Sequence, residues 1–242
     1  MTDQDKQALF KAGLDPAKIR EDYFIDPACK ILQTKAHFCF NSDSTDLARF
    51  CRVYPEDAVC EIGTNNGALL VYLDRFHPAS LTGIEILEQP AKLAAINLDR
   101  AVKAKHEIFQ GSVEQFTRGD FDLVICNPPY FELPDDASFS HALSLKQQAR
   151  FEKNLDLKTM IGQAARLLRS HGRFCFVHRP DRISEAIVEL AAHKMAVSRI
   201  QIAYDHRDQQ AKAILIEAIK EGTCRPQILE PIFRGQPGLK LE

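Results

Sequence analysis

Apolar residues along this chain fall into short runs, and the runs alternate between two periods. Residues 58–63 (AVCEIG), 80–86 (SLTGIEI), 106–111 (HEIFQG) and 121–127 (FDLVICN) are six- or seven-residue, largely apolar stretches bounded by polar or glycine positions. Such runs predict strands buried on both faces. Between and after them, residues 68–76, 89–104, 155–170 and 182–193 show helical spacing, with Pro90 placed in a first turn and Leu157, Ile161, Ala164, Ala165 and Leu168 on one face. A further strand is predicted over 173–178, after His171-Gly172 ends the preceding helix. Two final strands follow over 196–206 and 210–220, joined by a turn around Arg207 and Asp208. Upstream, residues 1–12 suit a short helix. Residues 13–42 are mixed, with Pro16 and Pro27 as breakers. Asp43 or Ser44 is expected to cap a helix through Leu47, Ala48 and Phe50.

Strands alternating with helices predict an α/β fold: a doubly wound, mainly parallel sheet of seven strands with helices on both faces. The last two strands, separated by a short turn, predict an antiparallel C-terminal hairpin at one edge. Residues 58–242 are read as one domain and 1–57 as an extension of it. In such a sheet ligands bind beyond the C-terminal strand ends, where strand order reverses. That rule singles out residues 61–67, 85, 111–112 and 127–130.

Composition adds little to this picture and charge adds a bias. The 242 residues are 45% hydrophobic with a net charge of −2, so there is no global basic signal for nucleic acid. Locally, residues 61–145 hold 6 Lys/Arg against 12 Asp/Glu, and residues 146–182 hold 9 against 3. A basic segment beside an acidic half suits a local polyanion site, or simply a solvated helix face. The seven cysteines form no C-x-x-C pair and no zinc-spaced cluster, so no metal site is expected and the thiols read as core residues in a reducing compartment. The N-terminus lacks a signal peptide's pattern and no apolar run is long enough to span a membrane, which predicts a cytoplasmic protein, taken as a monomer.

The loop EIGTNNG (61–67) follows the first strand of the alternating series and opens a helix. Gly63 permits a tight turn and Gly67 close helix packing. Glu61 argues against a phosphate cradle and for a ligand with an ammonium group. Glu85, 22 residues after Gly63 at the end of the next strand, is placed to accept ribose hydroxyls. An acid opening the loop, with no Lys or Arg, favours S-adenosylmethionine over NAD. The cofactor set is Glu61, Gly63, Thr64, Asn65 and Gly67 in the loop, Glu85 and Ile86 after the second strand, Ser112 and Val113 after the third, and Asn127.

The sharpest chemical signal is VICNPPYF (124–131). Two adjacent prolines stop a strand, since neither donates to the ladder. A planar amino group is a poor nucleophile until its lone pair localises, and two acceptors, one per N–H, favour that geometry. Asn127 offers a side-chain oxygen, and Pro128 a carbonyl restrained by Pro129. Tyr130 offers a face for stacking on a base or amide plane. Positioning of an amine beside a sulfonium methyl would then supply most of the catalysis. The competing reading of the two prolines is a plain strand-ending turn.

N-P-P-Y after an apolar strand resembles motif IV of the N6-adenine and glutamine-amide methyltransferases, and EIGTNNG resembles their motif I, with Asn65 where many members carry glycine. HFCFNSDSTDLARF (37–50), CNPPYF (126–131) and FVHRPDRISEAI (176–187) together resemble the bacterial tRNA1(Val) adenine N6-methyltransferase family, over roughly residues 20–235. The resemblance implies a Rossmann-like methyltransferase domain, S-adenosylmethionine as cofactor, and a tRNA substrate methylated on the adenosine at position 37. It places Glu61, Gly63 and Gly67 on the methionine loop, Glu85 on the ribose, and Asn127, Pro128, Pro129 and Tyr130 on the catalytic clamp. Related enzymes often carry an acid after the third strand. Here Gly111-Ser112-Val113 stands there, so Ser112 or a backbone carbonyl takes that place.

The same motif also serves release-factor glutamine N5-methyltransferases, which usually carry a helical N-terminal domain, and other RNA or DNA adenine methyltransferases. A non-catalytic nucleic-acid binder with a relict pocket is a third reading, opposed by the intact N-P-P-Y. Residues 132–150 are expected to form a flap over substrate, with Phe139 and His141 as weaker RNA contacts. Tyr130, Phe131, Lys146, Arg150, His178 and Arg179 are candidate substrate-binding residues. Lys153, Lys158, Arg173 and Arg182 complete the basic set for phosphate contacts.

Overall fold

The computed structural model describes residues 1–34, 36–37, 39–128, 155–207 and 209–234. Strands β3 (Ala58–Ile62), β4 (Ser80–Glu85) and β6 (Phe121–Cys126) are almost wholly buried, as continuous apolar runs require. They pair in parallel with each other, with β5 (Lys105–Gln110), and with β7 (Leu168–His178). Strands β8 (Met195–Tyr204) and β9 (Ala213–Lys220) form the antiparallel hairpin, with β9 set against β7. Two short strands, β10 (Gln227–Ile228) and β11 (Ile232–Phe233), lie parallel to β8. The sheet order is therefore β10-β8-β9-β7-β6-β3-β4-β5, with β11 also on β8. The seven strands read from the sequence are its body, and β10 and β11 extend one edge.

Side chains alternate between the two faces. On β7, Cys175 and Val177 join the cluster containing Leu47, Leu69, Leu70 and Leu123. Phe174 and Phe176 join the opposite cluster with Val124, Met160, Ile161 and Ala164. Helices α2 (Ser42–Phe50) and α3 (Ala68–Leu73) cover the first face. Helices α5 (Leu157–Leu167) and α6 (Ile183–Ala192) cover the second. Helix α4 (Glu88–Ala101) crosses from β4 to β5, and α1 (Asp3–Lys11) packs on it through Leu9.

The structure differs from the sequence reading in three places. Residues 19–34 form a hairpin, β1 (Ile19–Phe24) with β2 (Asp26–Thr34). Pro27 is tolerated because the register shifts from Phe24↔Asp26 to Tyr23↔Lys30, so no ladder hydrogen bond is asked of it. Helix α2 is capped by Asn41, not by Asp43 or Ser44. Ser44 stands at the third helical position, where its side chain returns a hydrogen bond to the cap in a capping box. Strand β7 begins at Leu168, five residues before the expected start. The chain turns extended there, and a kink with His171 at φ +60° carries it into the buried part of the strand.

Candidate active site

Strand order reverses between β3 and β6, and the register pairs Ile62 with Cys126 at their C-terminal ends. Gly63 and Asn127, each one residue on, are thus brought side by side at the switch point. A recess opens there, lined by Phe40, Ser44, Glu61, Gly63, Thr64, Asn65, Asn66, Ala68, Leu69 and Asn127. The β3–α3 loop and the residue before the prolines therefore share one cavity.

The loop is built from a few directed bonds. The backbone N–H groups of Gly63 and Thr64 both donate to the Ile84 carbonyl, at 2.8 and 3.0 Å. The Asn65 N–H donates to Glu85 Oε2 at 2.8 Å, and the Leu87 N–H donates to Oε1 at 2.9 Å. Three residues adopt left-handed backbone: Gly63, Asn65 and Gly67. The two glycines do different work. A Cβ on Gly67 would lie 2.6 Å from Leu98 Cδ1, so this glycine lets α3 pack on α4. A Cβ on Gly63 would meet nothing within 4 Å. Gly63 keeps open a space that a side chain would enter.

Two acids stand at this end of the sheet. Glu61 is 2% exposed and accepts the Thr64 hydroxyl proton at 2.6 Å. Burial pushes its pKa up to about 8, against the opposing pull of the Thr64 bond. Glu85 is also raised by burial, and the N–H groups of Leu87, Asn65 and Ile86 act in the opposite direction. His37, buried nearby, shares a 3.0 Å hydrogen bond with Gln89 through Nε2.

The Asn127 side chain donates through Nδ2 to Ser44 Oγ at 3.0 Å. Ser44 comes from α2, in the segment before the sheet domain, and was not among the sequence-derived site residues. Asn97 was missed too. Its side chain accepts from Leu32 N–H at 2.8 Å and donates to the carbonyls of Leu32 (2.8 Å) and Asn66 (2.9 Å), tying hairpin, α4 and loop together. Phe40, in the segment before the sheet domain, also lines the recess.

Other expected residues lie outside it. Ile86 is 45% exposed. Ser112 uses its hydroxyl to cap a short turn, accepting from Glu114 N–H, and Val113 is buried against Phe116 and its neighbours. His178 is buried at the end of β7, level with Pro128 if the β6–β7 register is continued. Burial and the flanking Arg182 and Arg179 hold its pKa down to about 4. Of the basic set, Arg173 pairs with Asp57, Arg179 with Asp181 and Arg182 with Glu185, while Lys158 is exposed. Pro129, Tyr130, Phe131, Phe139, His141, Lys146, Arg150, Lys153 and the expected flap lie outside the described residues.

A doubly wound sheet in this order is the fold of the Rossmann-like methyltransferases, and a matching methylase family model and methyltransferase relatives define the class: a methyltransferase whose methyl donor is S-adenosylmethionine. Within that class, the chain belongs to the Eco57I restriction-modification methylase family, whose model matches residues 67–205. The resemblance read from the sequence holds as well. A curated tRNA1(Val) (adenine(37)-N6)-methyltransferase from Proteus mirabilis is 28% identical over 94% of this chain and 90% of its own length. Among solved structures, a predicted O-methyltransferase from Agrobacterium tumefaciens superposes with a TM-score of 0.60 at 19% identity, covering 79% of this chain and 86% of that one. A SAM-dependent O-methyltransferase from Thermotoga maritima gives 0.52 at 19% identity, over 79% and 68%. These two likenesses concern the fold.

The residues present suit the donor. Its ammonium needs an acceptor beside it, and the Glu61 carboxyl lines the recess. Its hydroxyls need acceptors too, and the Glu85 carboxylate stands at the adjoining strand end. The open space over Gly63 admits a group that a side chain there would displace. Among the described residues no helix is long and apolar enough to cross a membrane, and no cluster of His, Cys, Asp and Glu could hold a metal ion.

Proposed function

We propose that this chain is a tRNA (adenine-N6)-methyltransferase acting on the adenosine at position 37 of tRNA1(Val), as a monomer in the cytoplasm. The observation that carries the reading is the juxtaposition of Asn127 with the Glu61–Gly67 loop in one recess at the switch point. The relatives' names supply the substrate.

In this reading Glu61, Gly63, Thr64, Asn65 and Gly67 hold the amino-acid end of the donor and Glu85 its ribose. When bound, the donor supplies an electrophilic methyl group. Asn127 Oδ1 and the Pro128 carbonyl each accept one N–H of the adenine amine, drawing its lone pair out of conjugation and toward the recess. Tyr130 stacks on the base. The proton leaves after the nitrogen has become cationic, so no strong base is required. Residues 1–57 act as an extension of the 58–242 domain, which the bonds from Asn97 to Leu32 and from Asn127 to Ser44 support.

Transfer of labelled methyl from S-adenosylmethionine into unmodified total tRNA, followed by nucleoside analysis, tests the reading. N6-methyladenosine in one isoacceptor is expected. Label in a release-factor glutamine and none in tRNA would replace this reading with the amide-methylating one.

A further inference from the structure

Asn127 can serve as an acceptor only if its amide is turned the right way. The two ends of an asparagine amide have nearly the same shape, so packing alone does not choose between Oδ1 and Nδ2 facing a substrate. Hydrogen-bond partners choose.

The partner here is itself constrained. Ser44 has one hydroxyl proton. Its Oγ lies 3.2 Å from Asn41 Oδ1, which already accepts the Ser44 backbone N–H at 3.0 Å and is thereby fixed as an acceptor. The Asn41 backbone N–H donates to Ser44 Oγ at 3.4 Å. With its proton directed to Asn41, the Ser44 oxygen is left with acceptor capacity and lies 3.0 Å from Asn127 Nδ2. Ser44 is 3% exposed, so water does not readily take the place of this bond.

The geometry points to Ser44 as a positioning residue: the Asn41–Ser44 capping box at the start of α2 orients the Asn127 amide so that Oδ1 faces the recess. The helix cap thereby doubles as an orienting device for the clamp. This inference rests on the reading of Asn127 as the acceptor of the amine. Ser44 acts through Asn127 and exchanges no proton with substrate.

The test measures single-turnover methyl transfer into tRNA with donor and tRNA saturating, on protein shown to be folded by circular dichroism, with donor affinity read by calorimetry. Ser44→Ala is expected to lower the rate constant on the order of tenfold while donor affinity changes less than about twofold. Asn41→Ala is expected to lose a similar factor, and Asn41→Asp, which keeps an acceptor for Ser44, to restore most of it. In an Asn127→Ala background, Ser44→Ala is expected to cost nothing further. A wild-type rate in folded Ser44→Ala, with Asn127→Ala slowed to a residual rate, would overturn this inference alone. So would equal losses from Asn41→Ala and Asn41→Asp. A wild-type rate in Asn127→Ala would overturn both the clamp reading and this one.

Discussion

The backbone N–H of Asn65 donates to the carboxylate of Glu85 at 2.8 Å, binding the loop after one strand to the end of its neighbour. Asn65 is held in left-handed backbone at φ +50°, which asparagine tolerates better than most residues. Glu85 thus shapes the loop before any ligand arrives. Glu85→Ala is expected to raise the dissociation constant for S-adenosylmethionine at least on the order of tenfold. Calorimetry reads the affinity, and circular dichroism shows whether the fold survives. Unchanged affinity in a folded variant would contradict this role.

Glu61 gives stability a pH dependence of known sign. Its pKa stands near 8 in the folded protein, above the ordinary carboxyl value, because burial penalises the charge. Between about pH 4.5 and 8 the folded state then binds the proton more tightly than the unfolded chain. The contribution is fully present at the acid end of that window and is lost as pH rises through it. Glu61→Gln keeps an acceptor for Thr64 and is expected to flatten the slope of unfolding free energy across this window. Denaturant titrations of donor-free protein at several pH values make the comparison, and parallel curves for parent and variant would refute it.

His178 acts in the opposite direction. Its pKa is held near 4 by burial and by Arg182 and Arg179, below the ordinary value of about 6.5. The unfolded chain therefore takes up a proton that the folded protein refuses. Stability from this group is present above about pH 6.5 and declines as pH falls toward 4. His178→Gln is expected to lose less stability than the parent over that interval. Equal losses in the same titrations would show that the buried imidazole is not the cause.

Gly67→Ala is expected to destabilise by about 2 to 3 kcal/mol, since the new methyl would sit 2.6 Å from Leu98 Cδ1 on left-handed backbone. Gly63→Ala shares the strained backbone but meets no neighbour. It is expected to cost less stability and to weaken donor binding more. Thermal unfolding and calorimetry on the pair separate the packing glycine from the one that leaves room. The reverse ranking on both readouts would sink the distinction.

Much of the site could be read from local pattern. Asn127 announces itself as a polar residue between a buried strand and two prolines, and Glu61 as an acid at the end of the first apolar run of the alternating series. Ser44 does not, because its partner is 83 residues away and nothing in NSDSTD distinguishes a capping serine from one that also holds the Asn127 amide. The cap shows the same limit. Asn41, Asp43 and Ser44 are all good cappers by type, and only the backbone, extended at Asn41 and helical from Ser42, selects among them. The β1–β2 hairpin was hidden by Pro27, whose cost vanishes at a register shift that sequence spacing does not reveal.

Periodicity and turn chemistry by themselves determined which segments between residues 58 and 220 make the body of the sheet and its helices, that the sheet is mainly parallel with an antiparallel edge, and which strand ends carry the candidate site. These follow from local rules, since side-chain period, strand-breaking prolines and crossover lengths act within a few residues or one βα unit. Tertiary structure alone decided which acid is buried enough to hold its proton near neutral pH, which glycine packs and which leaves space, and which distant hydroxyl faces Asn127. Those outcomes depend on desolvation, close contact and bond direction between segments far apart in the chain, which exist only once the sheet has brought Gly63 and Asn127 together.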